Sequence, residues 1–384
     1  MNQIQPPSFD DSQMEASNNQ NACSPDQADG IPRATSGGLL HEKVVIREAG
    51  KAAITQFLDE HNCFSVLRYS GKVVVFDTRI PIQLAFYALV EHDMQAAPLW
   101  DPSIRQFVGL LTVTDFIDIL RYYRSCMEQN FENYTIQDLA TRSIAEILED
   151  PNTAEHLKHR QFLSADADAT LKQSCILLHK NSLDFLPVIL PSDMRVLATV
   201  TYTNILEHLV THFREQRRLF DDSIYDLNIG TYGADVVTVQ PHHTLQECLA
   251  VCQSRHLSAV PVVDAQGRVL NVYSRSDISF LHHATDADDA VRSLDKTVGE
   301  ILGMQRTDVS TPDRLHTCSP THTLQSIFEY FAQLKFNRLI VVDEEHRCVG
   351  VVSARDLVAY FVGGDISNSR SHSGSVGGQQ QQQE

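Results

Sequence analysis

Four turns recur along the chain in which a Ser, Thr or related residue stands three positions before an Asp or Asn that opens a helical segment. Thr112 precedes Asp115, Ser274 precedes Asp277 and Ser353 precedes Asp356, while the fourth turn ends in Asn204. A carboxylate at that spacing can do two kinds of chemistry. It can cap the helix by satisfying orphan amides, which needs no ligand. It can also accept two hydrogen bonds from a vicinal diol. On the residues alone, capping is the more economical reading. Other spacings carry less. His208 and His212 lie four apart on a helix like two metal ligands, but neither a third ligand nor the glutamate of H-E-x-x-H accompanies them, so a solvated helix face is expected. Cys248 and Cys252 share that spacing, and two thiols do not close a tetrahedral zinc site. His242-His243 and His282-His283 read as loop residues. With no G-x-S-x-G, Walker loop, Cys/His pair or spaced acid dyad, the sequence predicts no catalytic residue and no metal site.

The turns belong to a repeat. Pro98, Pro187, Pro261 and Ile340 occupy one slot, and Ile82, Leu171, Leu245 and Leu324 recur at the same intervals. Two landmarks in step make chance similarity a poor explanation. Each copy reads strand, helix, β-branched strand, turn, strand, helix. Thr170 with Gln173 and Thr244 with Glu247 fit capping boxes. Val260–Val263 and Leu339–Val342 are apolar throughout, as strands covered on both faces are. A unit of about 60 residues buries its own core poorly, so the copies should pair.

Composition sets the class. Asp+Glu is 49 against Lys+Arg 31, a net charge of -18, and no basic run of five appears, which argues against nucleic-acid partners. The apolar stretches are strand-length and broken by charge, so no membrane span is expected. The eight cysteines form no C-x-x-C pair and read as buried thiols in a reducing compartment. The expected location is cytoplasmic, or nuclear as well. Residues 1–40 and 363–384 are polar and lack apolar periodicity, which predicts disordered tails. Between them the repeats are placed at 41–130, 155–215, 228–288 and 306–362.

The stretches KVVVFDTRIPIQLAFYALV, AAPLWDPSIRQFVGLLTVTDFIDILRYYRS, DLNIGTYGADVVTV and SAVPVVDAQGRVLNVYSRSD resemble the cystathionine β-synthase (CBS) motif. Their four-copy arrangement is similar to the γ regulatory subunits of AMP-activated protein kinase, over roughly residues 55–362. The resemblance implies an α/β fold of four CBS repeats, paired into two Bateman modules that form a pseudo-symmetric disk. It implies a non-catalytic regulatory subunit that binds AMP, ADP or ATP as a regulatory ligand, with no tightly bound cofactor, and that docks kinase α and β subunits. A γ-like scaffold that has lost nucleotide sensing is the alternative. A CBS-containing enzyme is disfavoured, because four repeats and two tails leave no residues for a catalytic domain. Phe64–Phe76 reads as strand-rich and exposed to pairing with a strand of the β subunit.

Carried onto this chain, the family's ribose carboxylates fall at Asp115, Asp277 and Asp356, with Asn204 lacking the acid as the family's second site does. Thr112, Ser274 and Ser353 fit the same turns, and Thr231 and Ser258 fall on further ligand positions. The family's basic phosphate slots hold Gln95-Ala96, Asp184-Phe185, Ser258-Ala259 and Asn337-Arg338, so Arg338 alone stays basic. A family lysine is replaced by Thr203, and Arg306 aligns with another phosphate-binding arginine. Arg275 is expected at the surface. Arg355 is either a surface residue or a replacement charge. The best site should combine Arg338 with Asp277 and Asp356.

Overall fold

The computed structural model describes residues 36–67, 73–92, 94–129, 139, 141–154, 156–157, 161–213, 221–275, 277, 287–304, 315–334 and 336–372. Contacts divide the chain into Met1–Val44 and Val45–Glu384. Of the first unit only the opening of helix α1 (Ser36–Glu60) is described, and all four repeats belong to the second.

Repeat 1 comprises β1 (Phe76–Asp77), α2 (Ile82–Glu91), β2 (Ala96–Asp101), β3 (Gln106–Thr112) and α3 (Val113–Glu128). Helices α4 (Ile144–Glu149) and α5 (Pro151–Ala154) lead to repeat 2: β4 (Ala165–Asp166), α6 (Leu171–Lys180), β5 (Leu186–Leu190), β6 (Arg195–Val200) and α7 (Tyr202–His212). Repeat 3 holds β7 (Thr231–Tyr232), α8 (Leu245–Ser254), β8 (Ala259–Val263) and β9 (Val269–Ser274), followed by α9 (Ala287–Arg292) and α10 (Val298–Gly303). Repeat 4 holds β10 (Thr317–Cys318), α11 (Leu324–Leu334), β11 (Arg338–Val342), β12 (Cys348–Ser353) and α12 (Ala354–His372). Helix backbone thus runs a little into both segments expected as tails; the rest of them lies outside the described residues.

The four repeats obey one register. A parallel bridge joins Phe76 to Leu99, Ala165 to Val188, Val239 to Val262 and Cys318 to Val341. The antiparallel hairpin beside each bridge slips at the same step, after Leu99, Val188, Val262 and Val341. The first residue of the leading helix is fully buried every time, at Ile82, Leu171, Leu245 and Leu324. The expected capping boxes close: the Thr244 amide donates to Glu247 at 2.8 Å and the Glu247 amide to Thr244 Oγ1 at 3.2 Å, with Thr170 and Gln173 doing the same.

Pairing is enforced by exchange of the segments between repeats. The stretch before repeat 1 docks on repeat 2, with Cys63 N on Ala169 O and Leu171 N on His61 O. The stretch before repeat 2 docks on repeat 1, with Ile82 N on Arg142 O and Ile144 N on Ile80 O. Repeats 3 and 4 trade likewise through Ile224 N on His322 O and Val298 N on His243 O. Strand β7 completes this second trade by pairing with β12. Sheet faces close the same couples: Val263, Val269 and Val272 pack with Ile340 and Val342, and Phe107 stacks on Phe162 at 4.7 Å.

The helices make a second partnership that the pattern did not foretell. One apolar core joins repeats 1 and 3, from Ile82, Leu99 and Ile117 to Leu249, Val260 and Ile301. Another joins repeats 2 and 4, from Leu171, Leu186 and Leu206 to Phe328, Leu339 and Leu357. One expectation is corrected. Phe64–Phe76 is not strand-rich among its described residues, because Asn62 accepts from the Ser65 amide at 3.1 Å and caps a 3-10 turn over Cys63–Val66. Strand begins only at Phe76, on the edge of the first sheet.

Candidate functional site

The acid turns of repeats 1 and 4 are each built by their own hydroxyl. In repeat 1 the Thr112 amide and hydroxyl both donate to Asp115 Oδ2, at 2.8 and 2.5 Å, and the Asp115 amide returns to Thr112 Oγ1 at 3.2 Å. In repeat 4 the Ser353 amide and hydroxyl donate to Asp356 Oδ2 at 2.8 and 2.7 Å. Repeat 2 builds the same turn without charge, the Thr201 amide and hydroxyl donating to Asn204 Oδ1 at 3.1 and 2.8 Å. Asn and Asp cap about equally well, so the charge at Asp115 and Asp356 exceeds what the turn requires. In repeat 3 the Asp277 amide donates to Ser274 O, and Ser274 Oγ reaches Ser258 O at 3.5 Å.

Repeat 4 gathers the most candidates. Arg338 opens β11 directly across from Ser353 and is 8% exposed. The equivalent seats opposite Thr112 and Ser274 hold Ala96 and Ala259. Thr231 pairs with Val351, two residues before Ser353 and therefore on the same face of β12. That approach demands two glycines. A Cβ on Gly230, at φ +108°, would lie 2.6 Å from Val351 O, and one on Gly350 would lie 2.5 Å from the Tyr232 ring. Arg338, Ser353, Asp356 and Thr231 thus meet at one end of the sheet. Ser258, Ser274 and Asp277 belong to the turn of repeat 3, and Thr112 with Asp115 to that of repeat 1. Arg306 lies outside the described residues.

Other repeats reach toward these groups. The Tyr202 phenol, at the start of α7, is buried with no hydrogen-bond partner among the described residues. Burial raises its pKa; Arg355 opposes this, while Asp184, Cys175 and Asp356 add to it. The Asp356 turn therefore faces repeat 2, where Arg355 donates to Ser182 at 3.0 Å. Tyr202 carried no signal in the sequence, since its position follows from packing between repeats.

Two surface readings are corrected. Arg275 is largely covered, its side chain 12% exposed, because it crosses from repeat 3 to pair with Asp118 on α3 of repeat 1. His208 is buried rather than solvated: α1 covers that face of α7, and the His208 ring lies 5.1 Å from His61 and 4.2 Å from His212. Burial first, then His212 and His61, lowers its pKa to about 4. Among the described residues no three His, Cys, Asp or Glu side chains converge to hold a metal, and no helix is long and apolar enough to cross a membrane. Cys248 and Cys252 are packed in the core, as their spacing suggested.

Comparison with known proteins gives the same outline. The family profile described as "CBS domain" matches residues 231–282 and 298–363. A Dictyostelium discoideum protein, the γ subunit of 5'-AMP-activated protein kinase, is 31% identical over 322 residues, covering 82% of this chain and 54% of the relative. The human γ-3 subunit is 33% identical over 322 residues, covering 83% of this chain and 62% of the relative. The chain thus spans little more than half the length of these curated relatives. A crystal structure of a Methanocaldococcus jannaschii protein, described as an archaeal homologue of γ-AMPK, superposes with a TM-score of 0.59 at 17% identity, covering 78% of this chain and 99% of that one. At that identity the likeness concerns the fold.

Proposed function

The chain belongs to the γ-subunit family of AMP-activated protein kinases, and on that premise we propose that it is a non-catalytic regulatory subunit that binds adenine nucleotide in repeat 4. AMP, ADP or ATP is the regulatory ligand, and kinase α and β subunits are the partners whose activity it governs. One observation carries the reading: Arg338 sits across the strand pair from Ser353, whose amide and hydroxyl are both held by Asp356. A ribose diol needs the carboxylate, and a phosphate needs the guanidinium. Both Ser353 donors go to Oδ2, and among the described residues no donor is placed on Oδ1. Thr231 and Tyr202 border the same turn. Asp115 has a similar turn but Ala96 opposite it, so repeat 1 serves less well.

Calorimetric titration of the complex with AMP and ATP tests this. Arg338→Ala should weaken binding tenfold to a hundredfold, about 1.5–3 kcal/mol for a charge-assisted bond. Asp356→Asn should keep the turn, as Asn204 does in repeat 2, yet lose affinity. Asp115→Asn should cost less than Asp356→Asn. AMP binding unchanged in Arg338→Ala but abolished in Asp115→Asn would place the site elsewhere. No binding by the natural sequence would favour a scaffold that has lost sensing, a reading supported by Gln95, Asp184 and Phe185 at the basic slots.

A further inference from the structure

A buried charge cluster lies between repeats 1 and 3. Asp118 stands one helical turn after Asp115, and Arg121 one turn after that, so the three share a face of α3. Arg275 stands between Ser274 and Asp277 in the turn of repeat 3. Its Nη2 donates to Asp118 Oδ2, while Arg121 Nη1 lies 3.6 Å from Asp118 Oδ1. The cluster is therefore bracketed by two acid turns, those of Asp115 and Asp277. Arg121 is held in place by Gln253 at 2.8 Å and Gln246 at 3.2 Å, both on α8.

One carboxylate serves two guanidinium groups here, and it serves them incompletely. Among the described residues, Arg275 Nε is buried without a hydrogen-bond partner, and so is Asp118 Oδ1. A carboxylate matched to the Nε–Nη2 edge of arginine would take both donors; Asp118 takes one. A buried guanidinium with an orphan donor is costly, and an anion that takes that donor relieves it. A phosphoryl group has the oxygens and charge to span that edge and to reach Arg121. Arg338 belongs to the same neighbourhood: the Cys252 thiol, whose pKa is lowered first by its hydrogen bond with Cys248, is lowered further by Arg275, Arg338 and Arg121 together.

We propose that Arg121 and Arg275 form a seat for a phosphoryl anion, with Asp118 as a resident competitor that the phosphate must displace. For a nucleotide as the source of that phosphate, the inference rests on the function proposed above; free pyrophosphate tests the seat alone. Asp118 then sets the ligand concentration at which the seat fills.

The test titrates the full chain in its complex with pyrophosphate and, separately, with AMP. Asp118→Asn removes the competing charge and keeps the shape, so both ligands should bind more tightly, on the order of tenfold. Adding Arg275→Gln to Asp118→Asn should erase that gain. Asp118→Asn that folds normally, by its thermal transition, yet binds both ligands no more tightly would overturn the seat. If Asp118→Asn does not fold, hydrogen exchange of the natural sequence decides: saturating pyrophosphate should protect the 113–121 and 273–275 amides, and no protection there overturns the proposal. The two readings fail separately. Loss of AMP binding in Asp356→Asn bears on the repeat 4 site, whereas the pyrophosphate gain in Asp118→Asn does not depend on Asp356. A gain with pyrophosphate but none with AMP assigns the seat to free phosphates.

Discussion

Asn204 is the most instructive single residue, because it reproduces the hydrogen bonds of Asp115 and Asp356 with no charge to offer a ligand. Capping was legible from spacing alone; the surplus of charge at the acid turns became visible only against Asn204. Arg275 and His208 were not legible, since what buries them comes from far away in the chain: Asp118 in repeat 1 and the α1 helix over α7. His208 carries a prediction. Its folded pKa, about 4, lies below the ordinary histidine value of 6.5, because burial disfavours the charged ring. Between those values the unfolded chain binds the proton and the folded one does not, so stability is retained above pH 6.5 and falls as pH drops toward 4. Facing groups are His61 and His212, with Phe57 and Phe213 completing the apolar wall. Denaturant unfolding at pH 7 and pH 5 should show a larger loss for the natural sequence than for His208→Asn; equal losses would remove the role.

Elements were the most legible level. The leading helices, the Thr170 and Thr244 capping boxes and the β-branched hairpins stand where apolar period and Thr spacing put them, because each is fixed by neighbours within a few residues. At the start of Phe64–Phe76 the same local logic runs in reverse: the Asn62 cap turns Cys63–Val66 into a 3-10 turn rather than strand. The crossing of β7 to β12 was not legible, though its glycines are its signature. Gly230 combines a positive φ with a contact to backbone that cannot yield. Gly230→Ala should therefore destabilise the fold by about 2–4 kcal/mol, strain and overpacking together. Gly303→Ala is the control, as a Cβ there meets nothing within 4 Å. Chemical denaturation of both variants decides, and equal midpoints would mean that β7 does not need this approach.

Across the second unit, two packing schemes cross. Exchanged segments and sheet faces couple repeat 1 with 2 and repeat 3 with 4, while the helical cores couple 1 with 3 and 2 with 4. The repeat count and the need to pair followed from the sequence. The helical partners did not, because an apolar face announces that it needs cover without saying whose. Each large core draws residues from both halves of the chain, so separating repeats 1 and 2 from repeats 3 and 4 would open both. Heat should unfold residues 45–362 in one calorimetric transition, with calorimetric and van't Hoff enthalpies equal. Two resolved transitions would mean that the couples are independent.

The traded segments also bear on how such a chain can lengthen or shorten through its gene. Removing one repeat with the stretch that leads into it would take away the cover of a retained neighbour and leave that neighbour's own leading stretch with nothing to dock on. The Arg142–Ile144 stretch, for instance, would lose Ile80 and Ile82 if repeat 1 were deleted, and repeat 2 would lose Cys63. Within a couple, then, neither repeat can be gained or lost alone without stranding the segment of the other.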